Sequence, residues 1–453
     1  MSKLPIVAIV GRANVGKSSL FNAVLDRREA IVAREAGTTR DSITAKAEYE
    51  GRHFWIVDTA GVKDPEDEFE YTIQEQISQA ADSADVIWVV VEADAAIADE
   101  DRRVARMALK SGKPVFLVVN KVDKARKDDL SHFARLGIKS IIYTAVPQSE
   151  GIDFLLDRLI DVIPEATLQE DDDRLHIALL GRPNVGKSQL FNTLAKKQQA
   201  IVADRAGTTR DVNRSTVRYH GREVVLMDTA GIRRSGKIER GIERFSVLRA
   251  LAAIEQADVC LLLMDVNELN VALDQKIAGM IKEAGKGLIL VVSKWDAAEG
   301  KDAFTRDALA PQIAATYDFV PWAPLIFTSA VSGQNVTKLF DLAFDIDEQR
   351  RKRIPTTELN KWLRHVVDKH PPAGLKNRAP KLNYMVQETD NPIPAFKIFG
   401  SQTKFVHWSY RRYLERELRA AYGYEGTPIQ LWFIEKHIAH KHGNSPTRAA
   451  RNS

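Results

Sequence analysis

The chain is expected to fold as two α/β modules in tandem, each with a doubly wound, mostly parallel sheet, followed by a smaller α+β unit. Three observations carry that expectation. The stretch Gly11-Arg12-Ala13-Asn14-Val15-Gly16-Lys17-Ser18 returns 170 positions later as Gly181-Arg182-Pro183-Asn184-Val185-Gly186-Lys187-Ser188, and its downstream companions return with it. Apolar runs alternate with helical patterns in the βα order of a wound sheet, and they do so twice. Finally, 453 residues exceed one compact core and suggest about three domains of ~100–200 residues.

In the first copy, strands are expected at 4–10, 52–57, 85–91, 113–119 and 138–143, with a last helix near 151–162. The acidic run from Glu165 to Asp173 lacks apolar periodicity and reads as a linker. The second copy places strands near 175–180, 222–227, 258–264, 287–292 and 324–328, then a helix from about 333 toward Arg350-Arg351-Lys352-Arg353. Pro355 marks a boundary, beyond which helix 356–369, strands 380–387 and 394–400, helix 405–421 and strand 429–434 form the α+β unit. The polar, basic stretch from His437 to Ser453 reads as a flexible tail. The expected domains are therefore 1–164, 175–350 and 351–436, with a linker at 165–174 and a tail at 437–453.

With 44% hydrophobic and 28% charged residues, the composition is that of a soluble protein, and no apolar run approaches the ~18–20 residues of a membrane span. Met1-Ser2-Lys3-Leu4-Pro5 leads straight into the first strand without the form of a secretion signal, so a cytoplasmic location is expected. Cys260, the only cysteine, sits in an apolar run and reads as a buried strand position. Charge is uneven: residues 350–453 carry 20 basic and 8 acidic side chains, a net +12, against −8 for residues 1–349. A basic third on acidic modules points to a polyanionic partner, most simply nucleic acid.

Each repeated G-x-x-x-x-G-K-S follows a strand pattern and opens a helical one, the context of a phosphate-binding loop. Backbone N–H groups of Gly11 to Gly16, or Gly181 to Gly186, would surround the anion, with Lys17 or Lys187 on the β- and γ-phosphates and Ser18 or Ser188 on Mg²⁺. Thr39 and Thr209, in the pentapeptides Gly37-Thr38-Thr39-Arg40-Asp41 and Gly207-Thr208-Thr209-Arg210-Asp211, can add a hydroxyl to Mg²⁺ and an N–H to the γ-phosphate. Asp58-Thr59-Ala60-Gly61 and Asp228-Thr229-Ala230-Gly231 close two strands; the aspartate reaches Mg²⁺ through water and the glycine N–H meets the γ-phosphate. Asn120-Lys121-Val122-Asp123 selects guanine, because the Asp123 carboxylate accepts from N1–H and the exocyclic amine. In the second copy the element is Ser293-Lys294-Trp295-Asp296, and Ser293 is expected to be too short to do all that Asn120 does. Thr144-Ala145-Val146 and Ser329-Ala330-Val331 sit where a backbone N–H would meet guanine O6.

Two G domains of this pattern followed by a basic α+β unit resemble the Der (EngA) family of bacterial GTPases over about residues 4–435. The resemblance implies two tandem P-loop GTPase domains and a C-terminal KH-like domain, carried here by Phe405-Val406-His407-Trp408-Ser409-Tyr410-Arg411-Arg412-Tyr413-Leu414-Glu415 and the segment 424–429. It implies GTP and GDP as ligands, Mg²⁺ as cofactor, and a GTP-driven role in assembly of the large ribosomal subunit with binding to ribosomal RNA. No membrane partner is expected, and the chain is expected to be a monomer. Val62 and Ile232 stand where many GTPases carry a water-orienting glutamine, so unaided hydrolysis is expected to be slow. Asn14 and Asn184 match an asparagine that helps related GTPases bind K⁺ between the α- and γ-phosphates; the plainer reading is a turn residue. Two other readings stay open: one G domain as a fixed GTP-holding scaffold, or a GTPase acting with a tRNA-modifying partner. Arg411, Arg412 and Arg416 are the candidate phosphate contacts, and Phe405, Trp408, Tyr410 and Tyr413 read first as core.

Overall fold

The computed structural model describes residues 4–25, 44–59, 73–125, 127–163, 174–197, 213–228, 247–298, 304–372, 379–389 and 391–435. The chain separates into two compact units, Met1–Asp347 and Glu348–Ser453.

The first unit holds two six-stranded sheets of one design. Strands β1 (Ile6–Val10), β2 (Thr44–Tyr49), β3 (Arg52–Asp58), β4 (Val86–Glu92), β5 (Val115–Asn120) and β6 (Ser140–Thr144) are ordered β2-β3-β1-β4-β5-β6. All neighbours are parallel except β2, which runs antiparallel to β3. Around them lie helices α1 (Lys17–Leu25), α2 (Ile73–Ser83), α3 (Asp99–Lys110) and α4 (Ile152–Ile160). The second sheet repeats that order with β7 (Leu175–Leu180), β8 (Asn213–Tyr219), β9 (Arg222–Asp228), β10 (Val259–Asp265), β11 (Gly287–Ser293) and β12 (Leu325–Phe327). Its helices are α5 (Lys187–Lys197), α6 (Val247–Gln256), α7 (Ala272–Glu283), α8 (Thr305–Thr316) and α9 (Lys338–Arg351).

Central strands buried on both faces read as unbroken apolar runs, as in Val86-Ile87-Trp88-Val89-Val90-Val91. Cys260 takes the expected buried place, in β10. Strand order reverses direction at β1 and at β7, so the loop after each opens at the switch point where wound sheets bind ligands. The antiparallel strands β2 and β8 were absent from the expected strands. Each is pinned across the sheet by its last residue: the Tyr49 hydroxyl donates to Asp157 and the Tyr219 hydroxyl to Asp341, both at 2.7 Å.

The two modules share a core. Helix α2 packs on α6, and one apolar cluster runs from Trp55, Ile77 and Ala80 of the first module into Leu248, Leu251 and Ile254 of the second.

The second unit contains α10 (Thr356–Lys369), β13 (Lys381–Gln387), β14 (Ala395–Ser401), α11 (Trp408–Tyr422) and β15 (Gln430–Glu435). Its sheet is ordered β13-β14-β15, with β13 antiparallel and β15 parallel to β14. Leu359, Leu363 and Val366 of α10 and Tyr410, Leu414 and Leu418 of α11 close on Leu382, Met385, Phe396 and Ile398. The last expected helix begins at Trp408, after a single 3₁₀ turn over Thr403–Phe405, because His407 caps it by accepting from the Ser409 N–H. Among the described residues no helix is long and apolar enough to cross a membrane.

Candidate nucleotide-binding sites

Each phosphate loop is held open by its backbone and by two anchors. A Cβ on Gly11 would run into the Val90 carbonyl, and one on Gly16 into the Asn120 amide, so both places require glycine. Asn14 and Asn184 stand at φ 64° and 63°, a left-handed conformation that Asn tolerates, so the turn alone accounts for the residue type. Helices α1 and α5 begin at Lys17 and Lys187, which leaves their first-turn amides facing the loop.

The loop lysines point inward. Lys17 Nζ donates to the carbonyls of Gly11 at 2.8 Å and Arg12 at 2.5 Å; Lys187 Nζ repeats this with Gly181 at 3.0 Å and Arg182 at 2.6 Å. Burial pushes the Lys17 ammonium below its ordinary pKa, and the Asp58 charge pulls it partly back. A desolvated cation held by carbonyls beside a carboxylate is a receptor for an anion. Beside it the Ser18 hydroxyl donates to Asp58 at 2.5 Å, and Ser188 to Asp228 at 3.1 Å. A hydroxyl and a carboxylate are hard oxygen donors that suit Mg²⁺, whose remaining ligands would be phosphate oxygens and water. Among the described residues no group of three or more His, Cys, Asp or Glu converges as a separate metal cage.

The base-selecting elements close the other end. Asn120 Nδ2 donates to the Val15 carbonyl at 3.0 Å, and its Oδ1 accepts from Thr144 at 3.1 Å. Lys121 Nζ bridges the Asn14 carbonyl at 2.8 Å and Glu92 at 2.7 Å. In the second site Ser293 Oγ reaches the equivalent carbonyl, Val185, at 2.6 Å and lies 2.9 Å from the Met264 carbonyl. Ser293 is therefore long enough to tether the loop, one of the contacts that Asn120 makes in the first site. A cavity lined by Gly186, Leu190, Ser293, Lys294, Asp296 and Ala330 lies against it. Asp123 and Asp296 are exposed at the rims of the two sites.

Several predicted residues turn away from the ligand space. Val15, Val185 and Trp295 are core residues, the last against Phe327. Thr59 donates its hydroxyl to the Ile9 carbonyl at 2.7 Å. Val122 packs against the core, while Ala13 is exposed and Pro183 half-buried on their loops. Thr39, Ala60, Gly61 and Val62, with Thr209, Thr229, Ala230, Gly231 and Ile232, lie outside the described residues.

The acids that hold the loop arginines escaped the sequence reading. Arg12 Nε donates to Asp101 at 2.8 Å, and Arg182 Nε to Asp274 at 3.0 Å, which fixes the loops to α3 and α7 respectively. Arg182 is held further by Glu268 at 2.9 Å. Burial raises the Asp274 carboxyl to about 6, although Arg182 opposes the rise. Both acids could have been found: past the second helix the repeat offset is 173 rather than 170, which pairs Asp101 with Asp274 and Glu92 with Asp265.

Comparison with known proteins agrees with this geometry. The profile described as "50S ribosome-binding GTPase" matches residues 6–121 and again 176–294, and that of the "KH-domain-like of EngA bacterial GTPase enzymes, C-terminal" matches 353–433. A GTPase Der from Chloroflexus aggregans is 46% identical over 439 residues, 95% of this chain and 97% of that one. Those of Gemmatimonas aurantiaca and Desulfitobacterium hafniense are 40% and 42% identical, over 94% and 96% of this chain and 98% and 99% of theirs. With the motifs twice in register and kinship along almost its whole length, the chain belongs to the Der (EngA) family and is a GTP-hydrolysing enzyme that binds GTP and GDP.

Proposed function

We propose that the chain is a GTP-driven switch in assembly of the large ribosomal subunit, bound to ribosomal RNA through its basic C-terminal unit. The reading takes Lys17 and Lys187 as the β/γ-phosphate contacts. Ser18, Asp58 and Thr39, with Ser188, Asp228 and Thr209, are assigned to Mg²⁺, and Asp123 and Asp296 to guanine. Mg²⁺ bound there neutralises charge on the transferring phosphoryl group. The loop amides and lysines hold the phosphates in place, so catalysis is positional and electrostatic. Asn14 and Asn184 are assigned a K⁺ in place of an arginine finger.

One observation supports the RNA assignment most. Arg411, Arg412 and Arg416 are all exposed on α11, and none is consumed by the core. Arg411 lies 4.7 Å from the Phe433 ring and Arg412 4.9 Å from Trp408, which is itself 54% exposed, so the helix presents guanidinium groups supported by rings. Sedimentation with purified large subunits, with GDP and with a non-hydrolysable GTP analogue over a salt series, tests the reading. Binding should depend on the nucleotide and fall steeply with salt. Binding that ignores both would overturn it. The cytoplasmic location, the monomeric state and the domain limits at 164, 175, 350 and 436 belong to the same proposal.

Ser293 favours a second reading in which the two sites divide their labour, one cycling and one holding nucleotide. Separate Lys17→Ala and Lys187→Ala variants distinguish the two, since only loss of the cycling site would abolish turnover.

A further inference from the structure

The C-terminal sheet has two faces, and only one is used by its own core. Leu382, Met385, Phe396 and Ile398 point to α10 and α11, with Leu431 and Phe433 packed at the margin of the same cluster. Alternation along β14 and β15 sends Lys397, Phe399, Trp432 and Ile434 the other way. A register shift between Leu382 and Tyr384 turns Tyr384 to that face as well.

Pairing arranges these side chains in two rows across the sheet. One runs Tyr384–Phe399–Ile434 and the next Val386–Lys397–Trp432. Tyr384 is 45% exposed and Ile434 36%, while Phe399 and Trp432 are half-buried. The Tyr384 and Phe399 ring centroids are 6.2 Å apart, and Lys397 Nζ stands 5.7 Å from the Trp432 ring. A sheet face turned to water normally alternates to polar residues, so an aromatic stripe here calls for an occupant. Around this face Lys381, Lys397 and Lys404 outnumber Glu388 and Glu435: Glu388 pairs with Lys397 at 3.0 Å, and Glu435 accepts from the Gln402 and Thr403 N–H groups at 2.7 and 2.9 Å. Lys381 and Lys404 are exposed at the strand ends.

We propose that this face, free of helices among the described residues, is a stacking platform for unpaired bases of single-stranded RNA, with Tyr384, Phe399 and Trp432 beneath the bases and Lys381 and Lys404 toward the phosphates. The inference rests on the proposal that this unit binds RNA, and it places a contact on the sheet rather than on α11. Flat rings spaced across strands suit successive bases, and a net +12 over residues 350–453 favours a polyanion over a protein as the occupant.

The test uses the full chain and a fluorescein-labelled oligouridylate, with an RNA duplex of equal length for comparison. Tyr384→Ala and Trp432→Ala should each weaken oligouridylate binding roughly tenfold, and the pair more, which is the scale of losing one stacked base. Trp432→Phe should restore most of it. The slope of affinity against salt should stay constant, because no phosphate contact is removed, and duplex binding should not change. Unaltered melting and GTP hydrolysis would exclude a folding defect, since none of these side chains enters the core. Wild-type affinity in the Ala variants, or equal losses for single strand and duplex, would overturn the platform while leaving RNA binding intact. Variants that keep oligouridylate but lose large subunits would show that the face docks a protein instead. Failure of the wild type to bind either RNA would overturn the underlying proposal as well.

Discussion

Replacing Ser293 by Asn should tighten guanine nucleotide binding at the second site, and the structure says by how much. Asn120 carries two N–H donors: one tethers the loop through Val15, and the other remains for the base. Ser293 has a single hydroxyl hydrogen, shared between the Val185 and Met264 carbonyls, so tethering the loop leaves nothing to donate. Space for the larger side chain exists. A Cβ on Gly186 would meet nothing within 4 Å, whereas in the first site the corresponding volume holds the Asn120 amide. Ser293→Asn therefore keeps the tether and adds one hydrogen bond, worth ~1 kcal/mol net or roughly fivefold in affinity.

The assay is a titration of a fluorescent GDP analogue into the full chain carrying Lys17→Ala, so that only the second site reports. The reciprocal change, Asn120→Ser in a Lys187→Ala background, should loosen the first site by about the same factor. Unchanged affinity in Ser293→Asn would refute the donor count and show that the serine supplies all this pocket requires. Weaker binding would show that the cavity beside Gly186 is not available to the amide.

Further outcomes follow from the same sites. Lys17→Ala and Lys187→Ala should each abolish nucleotide binding at one site only, so equilibrium titration should give one equivalent instead of two; two equivalents in either would sink the assignment. Exchanging Na⁺ for K⁺ at fixed ionic strength should raise steady-state phosphate release, and Asn14→Ala with Asn184→Ala should remove the difference; equal rates in both salts would leave the asparagines as turn residues alone. Changing Arg411, Arg412 and Arg416 to Gln should weaken binding to large subunits and flatten its salt slope without affecting GTP hydrolysis. Asp274 binds its proton more tightly folded than unfolded, so its contribution to stability is present below 3.8 and lost as pH rises through about 6. That gap, at ~1.4 kcal/mol per pH unit, is ~3 kcal/mol at most, and Asp274→Asn should lack this part of the pH dependence when melting is followed from below 3.8 to above 6, the window of the titration.

What could be read from the sequence was what spacing along the chain decides. A loop that must wrap a phosphate needs its glycines, lysine and serine within a few residues, so both loops and both strand-end aspartates were legible, as were the central strands whose burial on two faces makes them uniformly apolar. Strands β2 and β8 were not. Thr44-Ala45-Lys46-Ala47-Glu48-Tyr49 alternates, but with alanine on the buried side, and Asn213 to Tyr219 offers only Val217 and Tyr219; pairing with β3 and β9 supplies what propensity does not. The offset of 173 marks Asp101 and Asp274 as equivalent acids, but not as the partners of Arg12 and Arg182. An acid in the first turn of an amphipathic helix looks like an ordinary helix start, and only the fold brings it under the loop.

The packing of one G module on the other was least legible, because it rests on residues in which the two copies differ. Glu255 looks like a polar residue near the end of α6, yet it is buried and accepts from the Trp55 indole at 2.6 Å and from the Leu4 N–H at 3.2 Å, both in the first module. Its equivalent in the first copy, 173 positions earlier, is Asp82, which stands 3.9 Å from Arg249, and the equivalent of Trp55 is Val225. Partial burial lowers the pKa of the Lys46 ammonium, and the charges of Glu255 and Glu48 oppose that shift, so the half-buried Lys46 stands within the field of the same acid. Repetition reveals what each module must do alone, namely enclose phosphates at the switch point of its sheet. The surface on which the modules meet is set by asymmetric partners some 200 residues apart in sequence, a separation at which no local pattern can signal that an acid and an indole are a pair.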